Sequence, residues 1–229
     1  DAEKTAEYKK QAMEELSALG VTFPVEVDYY IIASNQTALD SATVLKQCFS
    51  DGLGDDFVKL NIKTYIKSLR QEVLNPHLQS FVLNGWGADY GDPQNFLGQE
   101  LYGYDNADYS ANYSFINEVT AETEANQQLI NTYKEYTKMV EEANEITDDL
   151  DARYEAYAEA EAFMLDHALI VPAYFDISWE LTRINDYSKI NAMFGVQNNK
   201  YKNWETSTDA YTAEDYAAFI ETWNENASK

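Results

Sequence analysis

Between residues 25 and 83 the hydrophobic period of the chain switches repeatedly between that of a strand and that of a helix, and this alternation constrains the fold more than any other feature. Residues 25–32, VEVDYYII, alternate and then run apolar, as a strand with one buried face does. Ser34 or Asn35 can cap a following helix that runs through Leu45 to Phe49, and Gly52 and Gly54 break it. Val58, Leu60 and Ile62 then alternate with Lys59, Asn61 and Lys63, a second strand of period two. A short helix over 65–73 and a third strand over 79–83 complete the series. Strand, helix, strand, helix, strand implies parallel strands joined by right-handed crossovers. The expected class is therefore α/β, with a largely parallel sheet covered by helices on both faces. Ligands bind such sheets beyond the carboxyl ends of the strands, which singles out the loop 84–96.

The flanks read mainly as helix. Tyr8, Ala12, Met13, Leu16 and Leu19 fall at helical spacing and stop at Gly20. Beyond the loop, 112–121, 125–146 and 149–167 are helical in pattern. The last two carry Leu129, Tyr133, Tyr136 and Val140, then Tyr154, Tyr157 and Met164, at core spacing. Residues 168–175 and 177–182 read as two strands parted by a turn at Asp176, with Pro172 marking an edge or a strand end. A helix over 212–223 closes the chain. The stretch 185–207 is rich in Asn, Lys and Tyr, sets Met193, Phe194, Tyr201 and Trp204 on no clear period, and is long for a connection. No internal repeat divides the sequence, so 1–229 is expected to form a single lobe.

Composition excludes several classes. With 45% apolar and 14% aromatic residues the chain has material for a core and is not intrinsically disordered. Its 40 acidic and 16 basic residues give a formal net charge of -24, which repels a phosphate polyanion and argues against nucleic acid. Such acidity suits the solubility of a secreted or surface protein. The single cysteine, Cys48, cannot form an internal disulfide, and its place beside Ala42, Leu45 and Phe49 predicts a small core residue. No apolar stretch approaches the roughly 20 residues that span a bilayer, and Asp1-Ala2-Glu3-Lys4 is not a signal peptide, so the chain is expected to be soluble.

Few residues are arranged for catalysis. The run from Gly85 to Gly91 has the wrong spacing for a dinucleotide loop, places Trp86 and Asp89 where a pyrophosphate needs bare backbone, and has no following Lys-Ser/Thr. Asp89 and Asp92 are close, but aspartates around Gly91 and before Pro93 are ordinary turn residues. His77 follows Pro76 in a turn and His167 ends a helix, and neither has a nucleophile or a metal-ligand spacing. Asp105, Asn106 and Asp108 lack the glycine and distal glutamate of a calcium loop. No catalytic residue, metal or cofactor is expected. What the loop does concentrate is an aromatic wall, Trp86, small residues, Gly87 and Ala88, and a carboxylate, Asp89. An extended peptide could exchange main-chain hydrogen bonds at Gly87 and Ala88 while Asp89 accepts from a free α-amino group. The alternative is that Trp86 and Tyr90 are core aromatics and Asp89 a turn-former.

Trp86-Gly87-Ala88-Asp89-Tyr90, followed by Asp92-Pro93 and Asn95-Phe96-Leu97, resembles the signature of oligopeptide- and dipeptide-type extracellular solute-binding proteins of ABC importers, family 5 type. Asp151-Ala152-Arg153-Tyr154 through Glu161, then Ile170-Val171-Pro172-Ala173-Tyr174, is similar to that family's late helix and following strand. The resemblance implies a periplasmic-binding-protein-like lobe, the C-terminal one of two that close over a peptide. It implies that Asp89 captures the peptide's amino terminus, with Trp86, Gly87 and Ala88 beside it. It also implies an extracytoplasmic receptor, lipid-anchored or periplasmic, that delivers peptide to a permease with ATPase subunits. Family members are much longer, so the N-terminal lobe that completes the cleft is missing from this sequence. Two other functions stand beside this one: a lobe for another solute, such as a metal chelate, a sugar oligomer or haem, and a surface interaction module with no small ligand.

Overall fold

The computed structural model describes residues 1–104, 115–175, 177, 183–188, 201 and 203–227, which fall into two compact units, Asp1–Gly85 and Trp86–Lys229. In the first, Asp1 accepts from the main-chain N–H groups of Glu3 and Lys4 and opens helix α1, Ala2–Ala18. Strand β1, Val25–Ile32, pairs in parallel with β2, Val58–Tyr65, in the register Val25 to Val58 through Ile32 to Tyr65. Helix α2, Gln36–Leu53, joins them. Of the two candidate caps it is Asn35 that acts, its side chain accepting from Ala38 N at 3.1 Å. Gly54, at φ 81°, ends the helix in a conformation that disfavours other residues.

Burial follows from the period of two. Tyr29, Ile31 and Leu60 are buried with Ala42 of α2, and Val27, Ala38, Leu45, Phe49 and Ile62 pack around them. The opposite face carries Glu26 and Lys59, whose ion pair at 3.3 Å is exposed, and Asn61, which donates to Glu26 and Asp28. The α/β class is thus shown, with a parallel pair covered by α2 on one face. The other face of the pair is polar. Cys48 is exposed, contrary to expectation, because the buried stripe Ala38-Ala42-Leu45-Phe49 passes to one side of it.

The third strand does not form. Ser80 N donates to Asp28 O at 3.0 Å, but Asp28 N donates to the Ser80 hydroxyl at 2.9 Å, so a side chain occupies the place of the next ladder carbonyl. Phe81 still contributes to the core, stacked 5.1 Å from Tyr29 and 5.6 Å from Phe49. The helix expected over 65–73 shrinks to one π-turn, Arg70–Leu74. The Glu72 carboxylate accepts from the Ile66, Lys67 and Ser68 N–H groups that precede it.

The second unit is helical. A four-residue turn α3, Gln94–Leu97, precedes α4, Glu124–Glu145, capped by Thr123, and α5, Leu150–Asp166, capped by Asp149. Tyr136, Val140, Ala143, Tyr157, Ala160 and Met164 close the core between α4 and α5, with Leu97 and Leu101 packed in. Tyr133 is buried as its spacing predicts, whereas Leu129 and Tyr154 are exposed and Ile130 takes the inward place. Helix α6, Ala213–Ala227, ends the unit. Of the helix expected over 112–121, Ile116–Glu118 is a single 3-10 turn and 112–114 lie outside the described residues. Residues 168–175 form no strand; Ala168 adopts φ 51° and Leu169 N closes back on Met164 O at 3.0 Å. The strand expected over 177–182 lies, except for Ile177, outside the described residues, as do Asp105, Asn106, Asp108, Met193 and Phe194.

Candidate functional site

Trp86, Gly87, Ala88 and Asp89 all lie in the second unit, on a segment outside any helix or strand. What fixes them is Asn95, 2% exposed in the first turn of α3. Its side-chain oxygen accepts from the Trp86 indole N–H at 2.9 Å and from Asp89 N at 2.8 Å. One buried amide therefore ties both ends of the four-residue segment. Trp86 is half-buried, so its ring is partly available as a wall while its polar edge is committed.

Asp92 supplies the second anchor. Its Oδ1 accepts from Gln94 N at 2.9 Å, the Asx-type turn expected of it. It also pairs with Arg153 of α5, whose Nη2 stands 3.0 Å from Oδ2 and whose Nε donates to the same oxygen at 3.1 Å. Arg153 Nη1 in turn donates to the carbonyls of Ala143, Asn144 and Ile146 at 2.9 to 3.1 Å, at the C-terminal end of α4. Arg153 Nη2 reaches the Tyr157 hydroxyl at 2.7 Å, and that hydroxyl donates to Asn144. Burial, then the Asp92 charge, pushes the Tyr157 hydroxyl above its ordinary range, so it stays a donor.

Asp89 differs from its neighbours. Its main chain is held, but its carboxylate is exposed and takes no hydrogen bond or ion pair from any described residue. The main-chain N–H groups of Trp86, Gly87 and Ala88 are likewise unpaired among the described residues. Gly87 is exposed, and a Cβ built there meets nothing within 4 Å. Ala88 is 6% exposed, so of the two small residues Gly87 is the accessible one. Gly87→Ala is accordingly expected to change unfolding free energy by less than about 0.5 kcal/mol. Thermal denaturation checks this, and a loss above about 1 kcal/mol would assign the glycine a packing role.

Asn95 and Arg153 are the supporting residues that spacing alone does not identify. Both occur in the segments that carry the family resemblance, but an asparagine between Pro93 and Phe96 reads locally as surface. Among the described residues, no group of three or more His, Cys, Asp or Glu side chains is placed to hold a metal ion. No helix of the described residues is long and apolar enough to cross a membrane.

No protein-family model matches the chain. A solved structure described as an oligopeptide ABC transporter substrate-binding domain from Bacillus anthracis superposes on 73% of it with a TM-score of 0.50 and 19% identity, so the chain shares the fold of the 27% of that structure it covers. By sequence, the chain is 29% identical over 239 positions to the oligopeptide-binding protein SarA of Streptococcus gordonii, matching 98% of this chain and 34% of SarA. It is 26% identical over 242 positions to AmiA of Streptococcus pneumoniae, again over 98% of this chain and 36% of AmiA. AliB of the same species is 25% identical over 96% of this chain and 34% of its own. The homologues of this chain are thus oligopeptide-binding proteins, and the chain spans about a third of their length.

Proposed function

We propose that the chain is the C-terminal, peptide-binding lobe of the extracytoplasmic receptor of an oligopeptide ABC importer, and that both of its compact units build that lobe. The observation that carries the reading is the Asp89 carboxylate, exposed and without a partner among the described residues, on a segment held through Asn95. A fixed main chain with a free carboxylate is preorganised to accept from an ammonium group. Asp89 captures the ligand's amino terminus, Gly87 offers main-chain groups to the extended peptide, and the half-buried Trp86 ring walls the site. Ala88 serves as the inward-facing floor. The remaining lobe of the receptor closes the cleft and removes water from the pair, and a permease receives the peptide.

Calorimetry on the complete receptor tests the role of Asp89. Asp89→Ala is expected to weaken binding of a free-amine peptide by about 2 to 5 kcal/mol, and N-acetylation of the peptide to weaken wild-type binding comparably. Gly87→Ala is expected to reduce affinity without reducing stability. The lobe alone binds weakly, because a charge-assisted hydrogen bond open to water nets little. Equal affinities for the free and acetylated peptides reject amine capture.

A further inference from the structure

The orientation of the segment from Trp86 to Asp89 depends on one atom. Among the described residues, the only hydrogen bonds made by Trp86, Gly87, Ala88 and Asp89 are the two that end on Asn95 Oδ1, from the Trp86 indole N–H and from Asp89 N. Burial of Ala88 adds apolar attraction, which is non-directional and does not aim a carboxylate. Asn95 is itself placed from outside the segment. Its main-chain N–H donates to Asp92 O at 3.1 Å, its carbonyl accepts from Gln99 Nε2 at 3.2 Å, and Asp92 is gripped by Arg153. At 2% exposure Asn95 has almost no surface to offer a ligand.

We infer that Asn95 is a positioning residue for amine recognition: its side-chain oxygen, shared between Trp86 and Asp89, fixes wall and carboxylate as one body, and the preference for a free amino terminus depends on it without its touching the peptide. The inference rests on the reading of Asp89 as the amine acceptor. A charge-assisted hydrogen bond weakens steeply as distance and angle leave their optimum, so an Asp89 whose main chain is released keeps its charge and loses much of its discrimination. Only the oxygen of Asn95 is used, since its side-chain nitrogen makes no hydrogen bond among the described residues. Aspartate, of the same length and with an acceptor in the same place, therefore does the work of asparagine, and leucine, of similar size without an acceptor, does not. A residue that merely kept the unit folded would act differently, because its loss would lower the amount of competent receptor and affect free and acetylated peptides alike.

The ratio of the Kd values for the N-acetylated and free-amine forms of one peptide, measured by calorimetry on the complete receptor, separates the two roles. Asn95→Leu is expected to shrink that ratio by about tenfold or more, as small displacements of a polar group do. Asn95→Asp is expected to keep it within about threefold of the wild type. In the chain itself, hydrogen exchange followed by NMR is expected to show the Trp86 indole N–H and the Asp89 amide losing protection together in Asn95→Leu, by about tenfold, and keeping it in Asn95→Asp. A folded Asn95→Leu receptor with the wild-type ratio overturns the inference and leaves amine capture by Asp89 intact. Loss of the ratio in Asn95→Asp does the same, and decides the matter even where the leucine variant fails to fold. Protection lost at one of the two groups alone overturns the shared acceptor. A wild-type receptor that binds both peptides equally overturns amine capture itself, and this inference with it.

Discussion

Arg153→Met is expected to destabilise the second unit by about 3 to 5 kcal/mol, the cost of breaking a largely buried ion pair from one side. The Arg153 side chain is 16% exposed and Asp92 26%, so water compensates little when the pair is lost. The effect has two parts. Asp92 loses its counter-charge while keeping its turn bond to Gln94 N, and three carbonyls at the end of α4 lose a shared donor. Methionine keeps most of the stem volume, so lost packing is not the main contribution. Urea unfolding measures the stability, and Trp86 fluorescence reports whether the loop loosens with it. Asp92→Asn should cost less, since the amide retains the turn bond. A double-mutant cycle over the two positions should return a coupling of about 2 kcal/mol, and independent effects would remove Arg153 as the anchor of the loop.

Glu100→Gln is expected to stabilise the protein at pH 8 by about 2 to 3 kcal/mol and to leave it nearly unchanged at pH 4. Burial pushes the Glu100 carboxyl up to about 7 from 4.5. Between those values the native state keeps a proton that the unfolded chain has released. Native stability therefore falls as pH rises from about 4.5 to about 7, and is level above that. The nearby Tyr136 hydroxyl is raised first by burial and then by the charges of Glu100 and Glu161, and it donates to Leu97 O at 2.7 Å. Glutamine removes the charge without emptying the site. Comparing the two proteins at each pH cancels the carboxylates that titrate lower, among them Glu72, held down by three main-chain N–H groups. Parallel stability curves across pH 4 to 8 would show that Glu100 ionises at its ordinary pH.

Much of the first unit is legible because its signals are local. Val25 to Ile32 and Val58 to Thr64 carry their period in side chains two apart, and Asn35 and Gly54 are a cap and a stop whose chemistry acts within one turn. The failures are competitions that period does not record. At 79–83 the Ser80 hydroxyl takes the place of a ladder carbonyl, and at 66–68 three N–H groups bond to the Glu72 carboxylate and not to main-chain carbonyls. The strand pattern at 168–175 has apolar residues in plenty but no described strand beside it, and a strand exists only as half of a pair.

The amino-acid sequence alone determined the α/β class, the principal helices with the cap and stop of α2, and the cluster of Trp86, Gly87 and Asp89 together with its family resemblance, because each is set by neighbours within a few positions. Only the tertiary structure decided that Ala88 turns inward, that Asn95 clamps the segment, and that Asp92 is gripped from 61 residues away by Arg153. Burial and long-range pairing are properties of the packed chain, and no local period encodes them.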